Sequence, residues 1–384
     1  MKLSQEKSLT THWLDAWHVN PSPNRDWDFI DGLRGIAILM VIVDHYCYVN
    51  PRSGSTVQFI SHLVSASGRG VTLFFAISGF LISWPFWKRK VENSLQVIPL
   101  GYAGRRFWKI YPPLALSILL LTPIYVFRYN DWSYAAIAAQ WLTGVSFFAP
   151  VSGKLNPVMW TLVVEIQFYI VLPLVFLAFQ RVSAKMCLWL VTLLFFVVPI
   201  VVQAVIGHSA TFYPYINAYF PTALGNFCLG ILIAGLNNLG VLNKKWAWLG
   251  DVGLILLPLA LLMIGWLSFY SEHQSPELSN AAEWMVRIAS GCLLCYVADP
   301  THSRIQLLRT PWLRWCGIIS YEWYLFHQPI VLWARESFGP AQGNPFIFVT
   351  IVGGSLLVGL IVAAIVYRYF SLPILKYGRP RCSG

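Results

Sequence analysis

The chain has 384 residues and a net charge of +11, from 27 Lys and Arg against 16 Asp and Glu, yet only 11% of it is charged and 57% is hydrophobic. A soluble domain carries about 25% charged residues. The composition therefore excludes a disordered chain, a nucleic-acid-binding domain and an ordinary soluble enzyme, and it directs the positive charge to a membrane surface. The seven Cys lie singly, so no disulfide framework is expected. Cys292 and Cys295 form a C-x-x-C inside an apolar run and read as packing thiols.

Crossing a bilayer takes about 20 apolar residues. Ten such runs follow one another, at 29–48, 70–87, 110–128, 158–179, 186–206, 217–236, 247–269, 284–298, 317–334 and 346–369. Residues 134–150 form a weaker eleventh candidate, rich in Ala and broken by small or polar residues. The distribution of basic residues decides between the counts. With ten spans and a cytoplasmic N-terminus, the outer segments carry only Arg52, Arg69, Lys154 and Arg335. Arg34, Arg128 and Arg287 sit in or at the ends of spans, and all other basic residues fall inside. The prediction is an all-α polytopic membrane protein of about ten transmembrane helices, with both termini cytoplasmic and 134–150 non-spanning. It divides into an N-terminal tail (1–28), a membrane domain (29–370) and a C-terminal tail (371–384). Residues 1–28 lack the basic and apolar regions of a cleaved signal. No N-x-[ST] sequon with a permitted middle residue occurs, which fits a bacterial inner membrane.

Ionisable groups within spans cost roughly 2.5–3.5 kcal/mol each on insertion scales, so they mark function. Span 1, FIDGLRGIAILMVIVDHYCYV, holds Asp31, Arg34, Asp44 and His45. Arg34 and His45 are eleven residues apart, three turns plus about 20°, so they share one face about 16 Å apart along the axis. Asp31 lies one turn before Arg34 and is placed to orient its guanidinium, whereas Asp44 points about 100° away from His45. In span 2, Ser78 and Gly79 read as close helix packing. Before span 3, GYAGRRFWKIYPPL sets Arg105, Arg106 and Lys109 at a helix start, either a phosphate site or an anchor on anionic lipid. Span 4 carries Glu165 at a depth near that of His45, with Arg287 as an alternative partner. Span 9, GIISYEWYLFHQPIVLW, carries Tyr321, Glu322, Tyr324 and His327, and His327 reads as a structural hydrogen-bonding residue.

Together these segments resemble the acyltransferase-3 family of integral membrane acyltransferases. FIDGLRGIAILMVIVDHY is similar to its first helix, with Arg34, ten residues, then His45. FFAISGFLIS is similar to its second-helix signature. RRFWKIYPP resembles its basic motif, with Arg106 and Lys109 in the basic places. WTLVVEIQFYIVLPL resembles its Trp-x4-Glu helix, with Trp160 and Glu165, and ISYEWYLFHQPIV its late Tyr-and-His helix. The five stand in the expected order over residues 29 to 334. Lys109 replaces a more usual Arg and cannot make a bidentate fork. Glu322 is an unusual acid, and Ser371 stands where the family often has a Glu.

The resemblance implies transfer of an acyl group, usually acetyl, from cytoplasmic acyl-CoA to a hydroxyl of an extracytoplasmic glycan. Arg105, Arg106 and Lys109 would hold the donor phosphates, and the pantetheine arm would pass Arg34. His45 would act as general base or as an acyl-carrying nucleophile. Glu165 would orient His45 or contact the acceptor, with Asp31, Trp160, Tyr321 and His327 in support. No metal, permanently bound cofactor or soluble esterase-like domain is expected; acyl-CoA is the co-substrate, and glycan and membrane lipids are the partners. On physics alone, buried Arg, His and Glu also suit a proton-coupled transporter, but a transporter needs no phosphate grip.

Overall fold

The structure, a computed structural model, describes Trp17 and residues 27–47, 62–148, 153–206, 223–270, 276–338 and 345–377. Among these the chain is entirely helical, with no strand. The principal helices are α1 (Phe29–Cys47), α2 (Gly70–Val91), α3 (Tyr102–Tyr129), α4 (Ser133–Leu142), α5 (Trp160–Ala178), α6 (Ala184–Ile206), α7 (Gly225–Asn238), α8 (Trp248–Tyr270), α9 (Pro276–Leu294), α10 (Pro311–Ile318), α11 (Ser320–Phe338) and α12 (Pro345–Val366). A π-turn at Tyr367–Ser371 continues α12 into α13 (Leu372–Tyr377).

Seven helical stretches among the described residues are long and apolar enough to cross a membrane. They run through α2, α3, α5, α6, α8, α9 and α12. Helices α1, α7 and α11 are outside that set. α1 carries Asp31, Arg34 and Asp44, α11 carries Glu322, Arg335 and Glu336, and α7 is 14 residues long. The start of the predicted 217–236 span lies outside the described residues. The ten residues of α4 reach about 15 Å, half a hydrocarbon core, so this helix is too short to cross. Large apolar side chains face outward along the long helices, among them Leu119, Phe127, Trp189 and Ile255. Helices apolar on all sides are what a lipid surround requires.

Helix α2 is the hub, packed against α1, α5, α7 and α9. It meets α7 backbone to backbone. A Cβ on Gly230 would stand 1.9 Å from the Ala76 carbonyl oxygen, and one on Gly79 would stand 2.4 Å from that of Phe227. Small residues allow this approach, and dispersion contacts then hold the helices where apolar burial from water is not available. The same device joins α1 to α10, where a Cβ on Gly317 would come within 1.8 Å of the Asp31 carbonyl oxygen. Gly230→Val is therefore expected to cost at least ~2 kcal/mol through overpacking, read as a lower unfolding midpoint in detergent. Gly353→Ala, with nothing within 4 Å of its Cβ, should leave the midpoint unchanged.

Two charged side chains fasten helix ends. Lys90, 6% exposed, donates to the Phe179 and Gln180 carbonyls at 2.8 and 2.6 Å, answering the unpaired carbonyls after α5. Asp28 accepts from Arg309 at 2.5 Å and pairs with Arg314 at 3.3 Å, tying the entry of α1 to the segment leading into α10. In the loop after α3, Asp131 is held at about 2 by hydrogen bonds from Lys154 and from Ser133. Because that value is depressed, the pin is intact above the ordinary carboxylate range and is lost only as pH falls toward about 2.

Candidate active site

A partly open cleft with a cavity volume of about 90 Å³ lies between α1, α2, α3, α5 and α11. Its polar lining is Arg34, Ser78, Arg106, Lys109, Thr161, Glu165, Tyr169, Ser320, Tyr321 and Tyr324. The remainder is apolar, chiefly Phe74, Phe75, Ile77, Leu81 and Leu162. Four charged residues, separated by up to 131 positions of chain, thus share one small space walled by hydrocarbon.

Each is held differently. The Arg34 guanidinium donates to Ser320 Oγ at 3.0 Å, and α1 packs directly on α11. Asp31 occupies the first turn of α1. Arg106 lies against the rings of Tyr102 and Tyr169, 6.0 and 5.6 Å from their centroids. Its buried Nε has no hydrogen-bond partner among the described residues, a donor left for something else to satisfy. Lys109, one turn further along α3, is within electrostatic reach of Arg34, Arg106, Glu165 and Glu322. Arg105 is exposed, donates to the Leu100 carbonyl, and is not part of the cleft lining.

Glu165 Oε1 accepts from Ser78 Oγ at 3.1 Å and from the Tyr169 hydroxyl at 2.5 Å. Its described partners are those of the cleft, and His45 is not among them. Arg287 instead donates to Asn226 at 2.8 Å and lies over the Trp284 ring, so the alternative Glu165–Arg287 pair does not form. Ser78 was expected to serve packing; Gly79 does so, while Ser78 binds the carboxylate. Depth along a span is readable from sequence, but the helix face that meets a neighbour is not, and this separates Glu165 from His45.

His45 is not among the residues that line the cleft. Its Nδ1 is 2.9 Å from Nε2 of His327, with the rings tilted by 39°. His327 is fully buried, and its Nδ1 faces the Trp323 and Tyr324 carbonyls at 3.0 and 2.8 Å. Tyr324 links this pair to the cleft: it lines the cleft, its ring lies 5.8 Å from that of His327, its hydroxyl donates to the Val158 carbonyl at 3.0 Å and it accepts from Thr161 at 2.8 Å. Asp44 points elsewhere, toward Gly68, whose Cβ would meet Asp44 Oδ2 at 2.6 Å.

Tyr321 donates to the Ile110 carbonyl at 2.8 Å, beside the turn where Pro112 and Pro113 withhold two helical donors. Trp160 packs on the main core rather than on the cleft. Glu322 is 3% exposed, faces Ser371 and lies within electrostatic reach of Arg34 and Lys109. The acid missing at 371 is thus matched by one contributed from α11. Sequence reasoning passed over Ser320 and Asn156. The latter is wholly buried, donates to the Leu325 carbonyl at 2.9 Å and caps the turn leading into α5. An Asn before Pro-x-x-Trp was the available signal. Among the described residues no group of His, Cys, Asp and Glu is arranged to hold a metal ion.

The family profile described as an acyltransferase domain matches residues 27–368. The O-acetyltransferase OatA of Staphylococcus aureus is 25% identical over 375 residues, covering 91% of this chain and 57% of that protein. The peptidoglycan O-acetyltransferase OatA of Listeria monocytogenes is 26% identical over 374 residues, covering 91% of this chain and 56% of that protein. The chain therefore spans a little over half the length of these curated relatives. No solved structure matches it.

Proposed function

The chain belongs to the acyltransferase-3 family, and from that premise we propose that it is a multi-pass O-acyltransferase of a bacterial inner membrane. It moves an acyl group, most simply acetyl, from cytoplasmic acyl-CoA to a hydroxyl of an extracytoplasmic glycan. The observation that carries this reading is the cleft that gathers Arg34, Arg106, Lys109 and Tyr324 in one lining, with His327, the partner of His45, about one turn beyond Tyr324 on α11. The O-acetyltransferase names of the relatives support it.

The donor's phosphates are bound by Arg106 and Lys109, the former through a guanidinium whose Nε is unsatisfied, and charge-assisted bonds of this kind are the strong ones. Arg34, held by Ser320, flanks the path of the pantetheine arm. Glu165 balances the cations and contacts the acceptor or the arm, in place of orienting His45. His45 takes the proton from the acceptor hydroxyl, whose oxygen attacks the thioester carbonyl; imidazole suits this because its ordinary pKa lies near working pH. The orientation follows from about ten spans with both termini cytoplasmic, which put Arg34 near the inner face and His45 toward the outer one. A proton-coupled transporter would leave the orphaned Arg106 donor unexplained.

Mass spectrometry of surface glycans from cells with and without the protein tests the function. O-acyl groups present only in cells carrying it are expected. Identical glycan masses in both would overturn the reading.

A further inference from the structure

We propose that His327 is a positioning residue that locks His45 into the neutral tautomer whose free lone pair is on Nε2. This rests on the reading of His45 as the base. The hydrogen bonds can be followed from their fixed end. A backbone carbonyl only accepts, so His327 Nδ1, facing two carbonyls at 3.0 and 2.8 Å, carries a proton. A fully buried ring with no carboxylate among its hydrogen-bond partners holds one proton, which leaves the lone pair on Nε2. That lone pair faces His45 Nδ1 at 2.9 Å. The contact is a hydrogen bond only if His45 Nδ1 is the donor. A neutral His45 protonated on Nδ1 has Nε2 unprotonated, the nitrogen further from its own backbone and turned away from His327.

The register of the two helices makes this bond repeatable. α1 and α11 are tied twice, by Arg34 to Ser320 at 3.0 Å and by His45 to His327 at 2.9 Å. Eleven residues of α1 thus run alongside seven of α11. In the reaction, His45 Nε2 removes the hydroxyl proton as the oxygen bonds to the thioester carbon. The carbon–sulfur bond then breaks, and the departing sulfur takes that proton from Nε2. While His45 holds both protons, its Nδ1–H bond to His327 is charge-assisted and stronger. His327 therefore acts on the rate of the chemical step and not on donor binding.

The test uses the full chain in nanodiscs labelled with ¹⁵N-histidine, since ring ¹⁵N shifts distinguish protonated from bare nitrogens. Signals of His45 are identified by their loss in His45→Ala. The expected native state is Nδ1 protonated and Nε2 bare. In His327→Leu the Nε2-protonated form should grow, and kcat should fall on the order of 10²-fold with the KM for acetyl-CoA unchanged, a loss within the range of general acid–base catalysis. His327→Gln, which can offer an amide oxygen to His45, should keep the native tautomer and recover most of kcat. Native His45 protonated on Nε2, or a His327→Leu enzyme with full turnover, overturns the proposal. Should the Leu variant not fold, the native spectrum decides alone. A wrong tautomer together with an inactive His45→Ala protein removes only the role of His327, whereas an active His45→Ala protein removes the base itself.

Discussion

His45→Ala is expected to insert and fold normally while transferring acyl groups at least about 100-fold more slowly than the native protein, the lower end of what a positioned base contributes. The substitution makes α1 more apolar, so insertion is not penalised. What it removes is the proton acceptor and the partner of His327 Nε2. The effect should fall on kcat, because His45 lies outside the cleft that holds Arg106 and Lys109. Glycan O-acylation measured beside the amount of protein in the membrane checks this. Near-native acylation by a well-inserted variant would remove His45 from the mechanism.

Arg106→Ala and Lys109→Ala are expected to show the opposite pattern. Each loses a charge-assisted bond worth roughly 1.5–3 kcal/mol, so the KM for acyl-CoA should rise about 10- to 100-fold with kcat within a few fold. Arg106 should show the larger rise, since its guanidinium is already braced between two tyrosine rings and loses little freedom on binding. Lys109→Arg should be tolerated or improved. Arg105→Ala should change KM little, because that side chain is exposed and turned to the Leu100 carbonyl. Unchanged acyl-CoA binding in both Ala variants would return the basic motif to the role of a lipid anchor.

What the sequence made legible follows single-helix periodicity. Arg34 and His45 could be assigned to one face of α1, and Arg106 and Lys109 to one face at the start of α3, because each pair lies within one helix. The distribution of basic residues argued against a span at 134–150, and α4 there is ten residues long. Contacts between helices were less accessible. His45 meets His327 across 282 positions of chain, and nothing in either helix alone specifies their register. The partner of Glu165 on α2, Ser78, was out of reach for the same reason. The membrane-spanning count suffers from the site itself: the charges in α1 and α11 make both helices poor candidates by composition. Arg34 on α1 and Ser320 and Tyr321 on α11 are lining residues of the cleft.

The donor is expected to enter from the cytoplasmic face and its acyl group to leave on the other. Sealed inside-out membrane vesicles supplied with acetyl-CoA carrying a ¹⁴C-acetyl group test it directly, since only the cytoplasmic face then meets the donor. The predicted result is label on glycan inside the vesicles with the native protein and background label with His45→Ala. Contradiction would be label appearing only when acetyl-CoA is given to right-side-out vesicles, or equal labelling by the native and His45→Ala proteins.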